Sequence, residues 1–542
     1  MEKIHCVNDD LITKQEDVHD DDYDTPGLKG IIKNPYLFGI ALFSSLGGLL
    51  FGYDQGVISG IQDMENFKQR FPMTPMENGF VVSILELGAW LGSFLIAYLA
   101  DAISRKYSIA VASIFFLIGS ALQAGAQQVI HLLIGRFIAG LGVGSLSMLG
   151  PLYQSELSST NIRGSIVSIY HLSTTLGVAL SFWIDYGASF AHDETSWRLP
   201  LYIQMVFGLI LLIGVYFLPF SPRWLVKAGR EQEALHVLAR LRRRPQDNRK
   251  VKAEWNDIKV AVAFDRYLEQ HIDSTDVHTD HGGSGCFYWL GREWRTYCHV
   301  LGQGMWKRIM VGGLLLFFQQ FTGVNAIVYY APFIINSVGI TGDAVKLLAT
   351  GVIGVIMVCC CIPTVLFLDK VGRKLLLLVG SVGMCICMTT MASLTTAFQH
   401  DWIHHTTEGW ISVTMIYIFM GLFACSWGPV CWVLTSELFP LRVRAKAMGI
   451  TSSSHWMNNF IVGFITPPLL ASNPHVAYFM FGGFCFISFG FVWFFIPETK
   501  GCSLEDLDQL FGSQTAAEDA ATMKRIQHEV NAATIATTPF AV

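Results

Sequence analysis

The sequence predicts an all-α polytopic membrane protein, with twelve transmembrane helices in two six-helix bundles and a helical linker domain between them. Three observations predict it. The 542 residues are 52% hydrophobic and only 15% charged, where a soluble chain of this length carries more charge and shorter apolar runs. Twelve runs approach the roughly 20 residues that a bilayer core demands. They lie near 36–60, 79–100, 107–125, 129–151, 165–187, 200–219, 308–338, 344–368, 375–398, 410–436, 447–470 and 476–496. Landmarks of the first six also recur, in the same direction, among the second six.

The chain divides accordingly into an acidic tail (1–35), a first bundle (36–219), a linker (220–307), a second bundle (308–496) and a tail (497–542). The first tail lacks the basic start and short apolar core of a cleaved signal, so the first helix is expected to serve as an uncleaved anchor. Sorted by loop, 32 Lys and Arg fall on the side of the termini and four (Lys68, Arg70, Arg198, Lys346) on the other, with Arg136 inside a helix. The positive-inside rule then places both termini and the linker in the cytoplasm, with the plasma membrane as the expected location. Net charge, −5, says little beside that asymmetry.

The first run ends in Gly47-Gly48-Leu49-Leu50-Phe51-Gly52-Tyr53-Asp54-Gln55-Gly56-Val57-Ile58-Ser59-Gly60. An ionised Asp54 in hydrocarbon costs several kcal/mol, so it needs a partner and a task. Arg136 in the fourth run is the candidate partner, and buried acid with buried base suggests a proton-coupled transporter. Glu86 in the second run is a further intramembrane acid, suited to a helix–helix hydrogen bond or to coupling.

The repeat is carried by charged groups on the side of the termini. Asp101-x-x-x-Arg105-Lys106 returns as Asp369-x-x-x-Arg373-Lys374, Glu156 with Arg163 as Glu437 with Arg444, and Pro219 as Pro497. Two bundles related by an axis along the membrane normal follow, with the substrate between them near the midplane. The matched acids and bases are expected to form inner salt bridges that hold one access state; the plainer alternative is that they are topology charges. In the linker, Ala234, Leu235, Val237, Leu238 and Leu241 have helical spacing and predict amphipathic helices beneath the bundles. The polar 271–285 stretch and the tail after Gly501 read as flexible, and His278, His281 and Cys286 do not make a convincing metal site. Twelve cysteines show no ligand spacing, so neither a disulfide framework nor a metal is expected.

Motifs spread through both halves identify a family. They are Gly47–Gly60; Arg136 with Gly140, Gly142 and Gly144; Pro151-Leu152-Tyr153-Gln154-Ser155-Glu156; Arg163-Gly164; Ser221-Pro222-Arg223-Trp224; Gln319-Gln320-Phe321-Thr322-Gly323-Val324-Asn325; Tyr329-Tyr330; Asp369 to Lys374; Trp427-Gly428-Pro429-Val430-Cys431-Trp432; and Pro497-Glu498-Thr499-Lys500-Gly501. Any one is weak, but together, in order, they resemble the sugar porter family of the major facilitator superfamily, its fungal members especially, over about residues 36–511.

The resemblance implies the major facilitator fold and a sugar site in which Gln319, Gln320 and Asn325 bond hydroxyls, Tyr329 lies nearby, and Trp427 and Trp456 pack on the ring. The chemistry agrees, because amides pair donor with acceptor as vicinal hydroxyls require, and aromatic faces cover the C–H side of a pyranose. The alternative is interhelical hydrogen bonding and core packing. Departures from the family pattern bear on the substrate. His171 and His455 stand where relatives usually carry amides, Met357 aligns where an Asn is common, and Ser104 replaces a usual Gly. Neutral histidines can serve a hexose, whereas charged ones favour a sugar acid.

The expected function is uptake of a monosaccharide, a hexose, by alternating access as a proton symporter. Sugar-acid symport, facilitated uniport and a non-transporting sugar sensor remain alternatives. No nucleophile–base pair or metal cluster points to an enzyme, and no cofactor is expected. The expected partners are the sugar, the proton and the bilayer, with no nucleic acid and a monomeric functional unit.

Overall fold

The computed structural model describes residues 34–274, 305–500 and 521–530, apart from 160–161, 192, 341, 400, 403 and 440–443. The elements among the described residues are helices. The first run becomes α1 (Pro35–Ser44) and α2 (Leu46–Asp63), and a short α3 (Glu65–Arg70) leads to α4 (Pro75–Ile103). α4 starts where the sequence supplies a full cap. Thr74 Oγ1 accepts from the Glu77 backbone, Glu77 accepts from the Thr74 backbone, and Pro75 has no N–H to satisfy. α5 (Arg105–Ala124), α6 (Val129–Leu157), α7 (Arg163–Ala188) and α8 (Thr195–Gly214) complete the first bundle.

The linker folds as α9 (Pro222–Lys227), α10 (Glu231–Arg242) and α11 (Arg249–Ser274). The second bundle comprises α12 (Trp306–Phe321), α13 (Val324–Ser337), α14 (Asp343–Val371), α15 (Arg373–Phe398), α16 (Thr406–Cys425), α17 (Trp427–Glu437), α18 (Arg444–Ser472) and α19 (Pro474–Phe495). A last helix, α20, spans 521–530.

Ten spans among the described residues are long and apolar enough to cross a bilayer. The two remaining long helices of the bundles, α7 and α18, hold fifth and eleventh place, one in each bundle. Both are polar along one side: α7 carries His171, Ser173, Thr174 and Asp185, and α18 carries Ser452 to His455, Asn458 and Asn459. Lipid cannot satisfy such groups, and both helices are covered by others: across the seam α18 packs on α4 and α7 on α14, and Thr174 and Asp185 of α7 lie against α2. Those two contacts exchange places under the repeat, since α4 and α14 are second and eighth in order. At the bundle seam each of these two polar helices thus packs against an apolar helix of the other bundle.

Three spans are broken, and the breaks have local causes. The first breaks at Ser45, where Gln154 Nε2 from α6 lies 2.7–3.0 Å from Ser45 Oγ, Ser44 Oγ and the Ala41 carbonyl. The seventh breaks at Gly323, whose φ of +91° favours glycine. A Cβ there would also meet the Phe481 ring at 2.7 Å. The tenth breaks at Ser426, between α16 and α17. Freed backbone groups inside a membrane are tolerated only where protein or a polar path satisfies them, and at the first break Gln154 supplies the partner.

α2 and α7 approach closely along a ladder of glycines. Gly48, Gly52, Gly56 and Gly60 recur every four residues on one edge of α2, facing Tyr170, Thr174, Ser181 and Asp185 in turn. A Cβ on Gly48 would stand 2.8 Å from the Tyr170 carbonyl, and one on Gly52 would strike that of Thr174. Small residues let membrane helices gain packing where no hydrophobic effect drives them together.

The repeat extends to backbone angles. Ser104 caps α5 at φ 108°, ψ 155°, and Gly372 caps α15 at φ 96°, ψ 156°. Ser104 thus adopts a conformation suited to glycine, with its hydroxyl accepting from the Tyr107 backbone at 3.2 Å.

α10 buries Ala234, Leu235, Leu238 and Leu241, as its spacing predicts. Helix α20 corrects the expectation of a wholly flexible tail, because Ile526 is buried against Val260 and Phe264 of α11. His278, His281 and Cys286 lie outside the described residues.

Candidate substrate and proton site

The polar side chains of the membrane interior gather at the bundle seam in two adjoining sets. The first set is charged. Asp54 on α2 is fully buried, and neither carboxyl oxygen has a hydrogen-bond partner in the protein. Arg136 on α6 is equally buried; its Nη2 donates to the Val82 carbonyl of α4 at 3.1 Å, while Nε and Nη1 are unpartnered. Glu86 stands one turn along α4 from Val82, and Arg136 acts electrostatically on both acids. The expected Asp54–Arg136 pair is therefore a neighbourhood and not a bond in this conformation: Arg136 is drawn to the α4 backbone instead.

The second set is neutral and tightly gathered, most of its members linked by hydrogen bonds. Gln319 Nε2 donates to the carbonyls of Trp427 (2.8 Å) and Gly428 (3.2 Å), which pins the break in the tenth span. His455 Nδ1 lies 2.8 Å from Gln320 Nε2 and 3.2 Å from Gln319 Oε1. One ring nitrogen cannot both accept and donate, so the shorter contact assigns it as acceptor and puts the proton of the neutral ring on Nε2. Asn325 Nδ2 donates to Gln320 Oε1 (2.6 Å) and to Asn459 Oδ1 (2.7 Å). Tyr329, one turn on from Asn325, donates to Glu86 Oε1 at 2.5 Å and accepts from Gln55 Nε2 at 3.2 Å. Tyr329 Oη also stands 3.2 Å from Asn459 Oδ1, so the amides adjoin an acid of the other bundle.

Gln319, Gln320, Asn325, Tyr329 and His455 are brought together, and the Gly323 break makes this possible by re-aiming α13 relative to α12. His171 faces them from α7, half-buried; a Cβ on Gly428 would lie 3.2 Å from its Nε2. The tryptophans are held differently. Trp427 is fully buried with Nε1 donating to Leu377 O (3.1 Å) and Ser381 Oγ (3.0 Å). Trp456 packs edge-on against Phe51 of the first bundle and against His455. Half-buried Trp432 lies 4.9 Å from the His455 ring.

On the side of the termini, Arg105 bridges Asp101 (2.7 Å) and Glu156 (3.0 Å), and Arg373 bridges Glu437 (2.8 Å). Arg105–Glu156 in the first bundle and Arg373–Glu437 in the second are matching pairs, and each lies within its own bundle. Glu498 accepts from the backbone of Arg373 and Lys374, capping α15, while Lys227 of the linker reaches Asp101 at 2.9 Å. Burial alone would push the Asp101 carboxyl up, but Arg105 and then Lys227 outweigh it and hold it below its ordinary value. The side chains of Arg163, Asp369 and Arg444 lie outside the described residues.

Two features escaped the sequence. Asn459 is one turn from His455 on an apolar-flanked helix, a spacing that signals a shared face. On the far side, Lys346 of α14 reaches Asp63 of α2 at 2.7 Å with both side chains buried, and Lys68 holds the other oxygen of Asp63 at 2.7 Å. That tie crosses the seam, so in this conformation the bundles are fastened together at the far end.

Comparison with known proteins agrees with the geometry. Residues 40–511 match the family described as "Sugar (and other) transporter". The chain is 33% identical over 494 residues to the probable glucose transporter rco-3 of Neurospora crassa, covering 87% of this chain and 78% of that one. It is 31% identical over 503 residues to a probable quinate permease of Aspergillus niger, covering 89% of each. Among solved structures, the xylose transporter XylE from E. coli in a partially occluded inward-open conformation superposes with a TM-score of 0.70 at 28% identity, over 87% of this chain and all of that one. A broken-helix, two-bundle membrane fold with amides and acids at its seam, matched along nearly its whole length, places this chain in the sugar porter family of the major facilitator superfamily, as a membrane transporter and not an enzyme.

Proposed function

We propose that the protein takes up a monosaccharide, a hexose, together with a proton across the plasma membrane, with both termini in the cytoplasm and a single chain as the working unit. The observation that carries this reading is Tyr329, which bonds Glu86 of the buried Asp54–Glu86–Arg136 cluster and lies 3.2 Å from Asn459 of the neutral amide set. Amides suit sugar hydroxyls, and a buried acid that lacks a bonded counter-ion suits a proton. The proton:xylose symporter XylE, crystallised with 6-bromo-6-deoxy-D-glucose, lends the reading further support.

In the proposed cycle Asp54 takes a proton from an acidic exterior, Arg136 keeps its hold on α4, and sugar replaces protein partners along Gln319, Gln320, Asn325 and His455. Release on the cytoplasmic side follows as the bundles rock. The paired charges Asp101, Arg105, Glu156, Arg163 and Asp369, Arg373, Glu437, Arg444 act as the inner gate, tuning the population of access states.

A cyclic acid is the second reading, favoured by the quinate permease likeness and by the two histidines. It is the weaker one, because His455 Nδ1 already accepts from Gln320 and the neutral ring offers a carboxylate only its Nε2–H. Uptake of labelled glucose, galacturonate and quinate in transporter-null cells at pH 5 and pH 7, with and without a protonophore, decides. Glucose accumulation that the protonophore collapses supports hexose symport. Protonophore-insensitive equilibration means uniport, acid uptake alone means the second reading, and signalling without uptake means a sensor.

A further inference from the structure

Two acids share the charge cluster, and one of them also touches the substrate site. We propose that Glu86 is a second proton-binding group of the transport cycle, sharing one proton with Asp54 and passing its protonation state to the amide chain through Tyr329. The consequence for transport rests on the symport reading; the sharing itself does not.

The charge count comes first. Asp54, Glu86 and Arg136 are all buried to within 1% exposure, and Arg136 is the base that acts on both acids. Two carboxylates against one guanidinium would leave an unbalanced negative charge inside the membrane, which is costly enough that one acid must hold a proton. The groups facing Glu86 are Arg136 from α6, Asp54 from α2 and Tyr329 from α13, with Asn459 of α18 as the remaining polar neighbour. None of these is a second cation. The pair therefore titrates as one system with one proton to place.

Where the proton sits matters to the sugar site. With the proton on Asp54, Glu86 is a carboxylate, and the Tyr329 hydroxyl donates to it in a charge-assisted bond roughly twice as strong as a neutral one. With the proton on Glu86 Oε2, which has no other protein partner, Oε1 becomes an ordinary acceptor and the hold on Tyr329 loosens. The nearest alternative acceptor for Tyr329 is Asn459 Oδ1, at 3.2 Å, and that oxygen already receives Asn325. Asn325 in turn holds Gln320. Moving one proton between two acids, one O–H breaking as the other forms with no change in total charge, thus alters the donors offered to substrate four side chains away.

The test uses the full chain in proteoliposomes and, separately, as purified protein. Glu86→Gln keeps an acceptor for Tyr329 but cannot exchange a proton. It should retain glucose exchange at a reduced rate, lose about tenfold or more of the accumulation driven by an imposed proton gradient, and flatten the pH dependence of the exchange half-saturation constant. Glu86→Asp should restore part of that pH dependence. In purified wild type, the infrared carbonyl band of a protonated carboxylic acid should respond to pH, disappear in Glu86→Gln, and shift its midpoint in Asp54→Asn. A Glu86→Gln variant with the wild-type pH profile and accumulation overturns the proposal. So does loss of exchange and accumulation together that Glu86→Asp does not recover, which marks a structural role. If wild type accumulates nothing under a proton gradient, symport fails by itself; the infrared bands then judge Glu86, and a band unmoved by Asp54→Asn overturns the sharing.

Discussion

The first bundle keeps charge in its membrane interior, whereas the second keeps amides. Asp54 of α2, Glu86 of α4, Arg136 of α6 and Asp185 of α7 are buried in the first bundle, and the second bundle buries Gln319, Gln320, Asn325, His455 and Asn459. Among the described residues, the acids and bases of the second bundle stand at helix ends, as Lys346, Arg373, Glu437 and Glu498 do. The repeat is thus a repeat of backbone: the same helix order, cap angles and arginine–glutamate pairs support different chemistry on each side. An amide can be satisfied inside a membrane by another amide, while a charge must be balanced or titrated. Keeping the two kinds apart gives one bundle the task of reading protons and the other that of reading hydroxyls, and leaves the seam to connect them.

The largest test of that division is Asp54→Asn. It should abolish accumulation against a gradient while exchange persists in part, since the amide mimics a permanently protonated acid; simultaneous flux and medium-pH recordings read both. A variant that still concentrates sugar and alkalinises the medium breaks the comparison. Gln320→Ala should do the converse. It should weaken sugar binding by about 1–3 kcal/mol, the cost of a buried hydroxyl left unpaired, with proton coupling intact. An unchanged half-saturation constant for every transported sugar would remove the amide chain from the site.

Smaller effects test the ends of the seam. Lys346→Met removes the cation from the far-side tie and should raise labelling of a cysteine placed at Ile58 by several-fold, as the open population grows. At the other end, acidity should do nothing. Asp101 is held below its ordinary value, so its contribution is complete above about pH 4 and fades only as pH falls through the lowered value. Cross-linking across Asp101 and Lys227 should therefore be flat between about pH 5 and pH 8, leaving pH effects to the first bundle's interior acids. The smallest change is Ser104→Gly. Relief of an unfavourable backbone region outweighs a lost cap, and the variant should gain about 1 kcal/mol in thermal stability with transport unchanged.

The sequence carried the spans, their order and the repeat because apolar length and charged landmarks are local signals. It also exposed Ser104 as an oddity, which the structure explains by the backbone angle shared with Gly372. Residues that meet across the seam were not legible. Tyr329 and Glu86 lie 243 positions apart, and nothing near either names the other. Trp427 and Trp456 read as ring-stacking platforms, yet their faces are occupied by protein in this conformation, a choice made by neighbours such as Phe51 that a linear pattern does not contain. Helix α20 was hidden for a different reason: its apolar face is a few residues long and gains a partner only once α11 is in place.

The glycine ladder between α2 and α7 has a consequence for how this transporter can diversify. Substitutions at Gly48 and Gly52 meet backbone that cannot move aside, so a mutational search for new specificity has almost no freedom along that edge. The amides of the second bundle are instead side chains linked to one another by hydrogen bonds, which can exchange partners. Variation is steered to one wall of the pathway, and a lineage can change what it carries while inheriting the other wall, with its acids, nearly untouched.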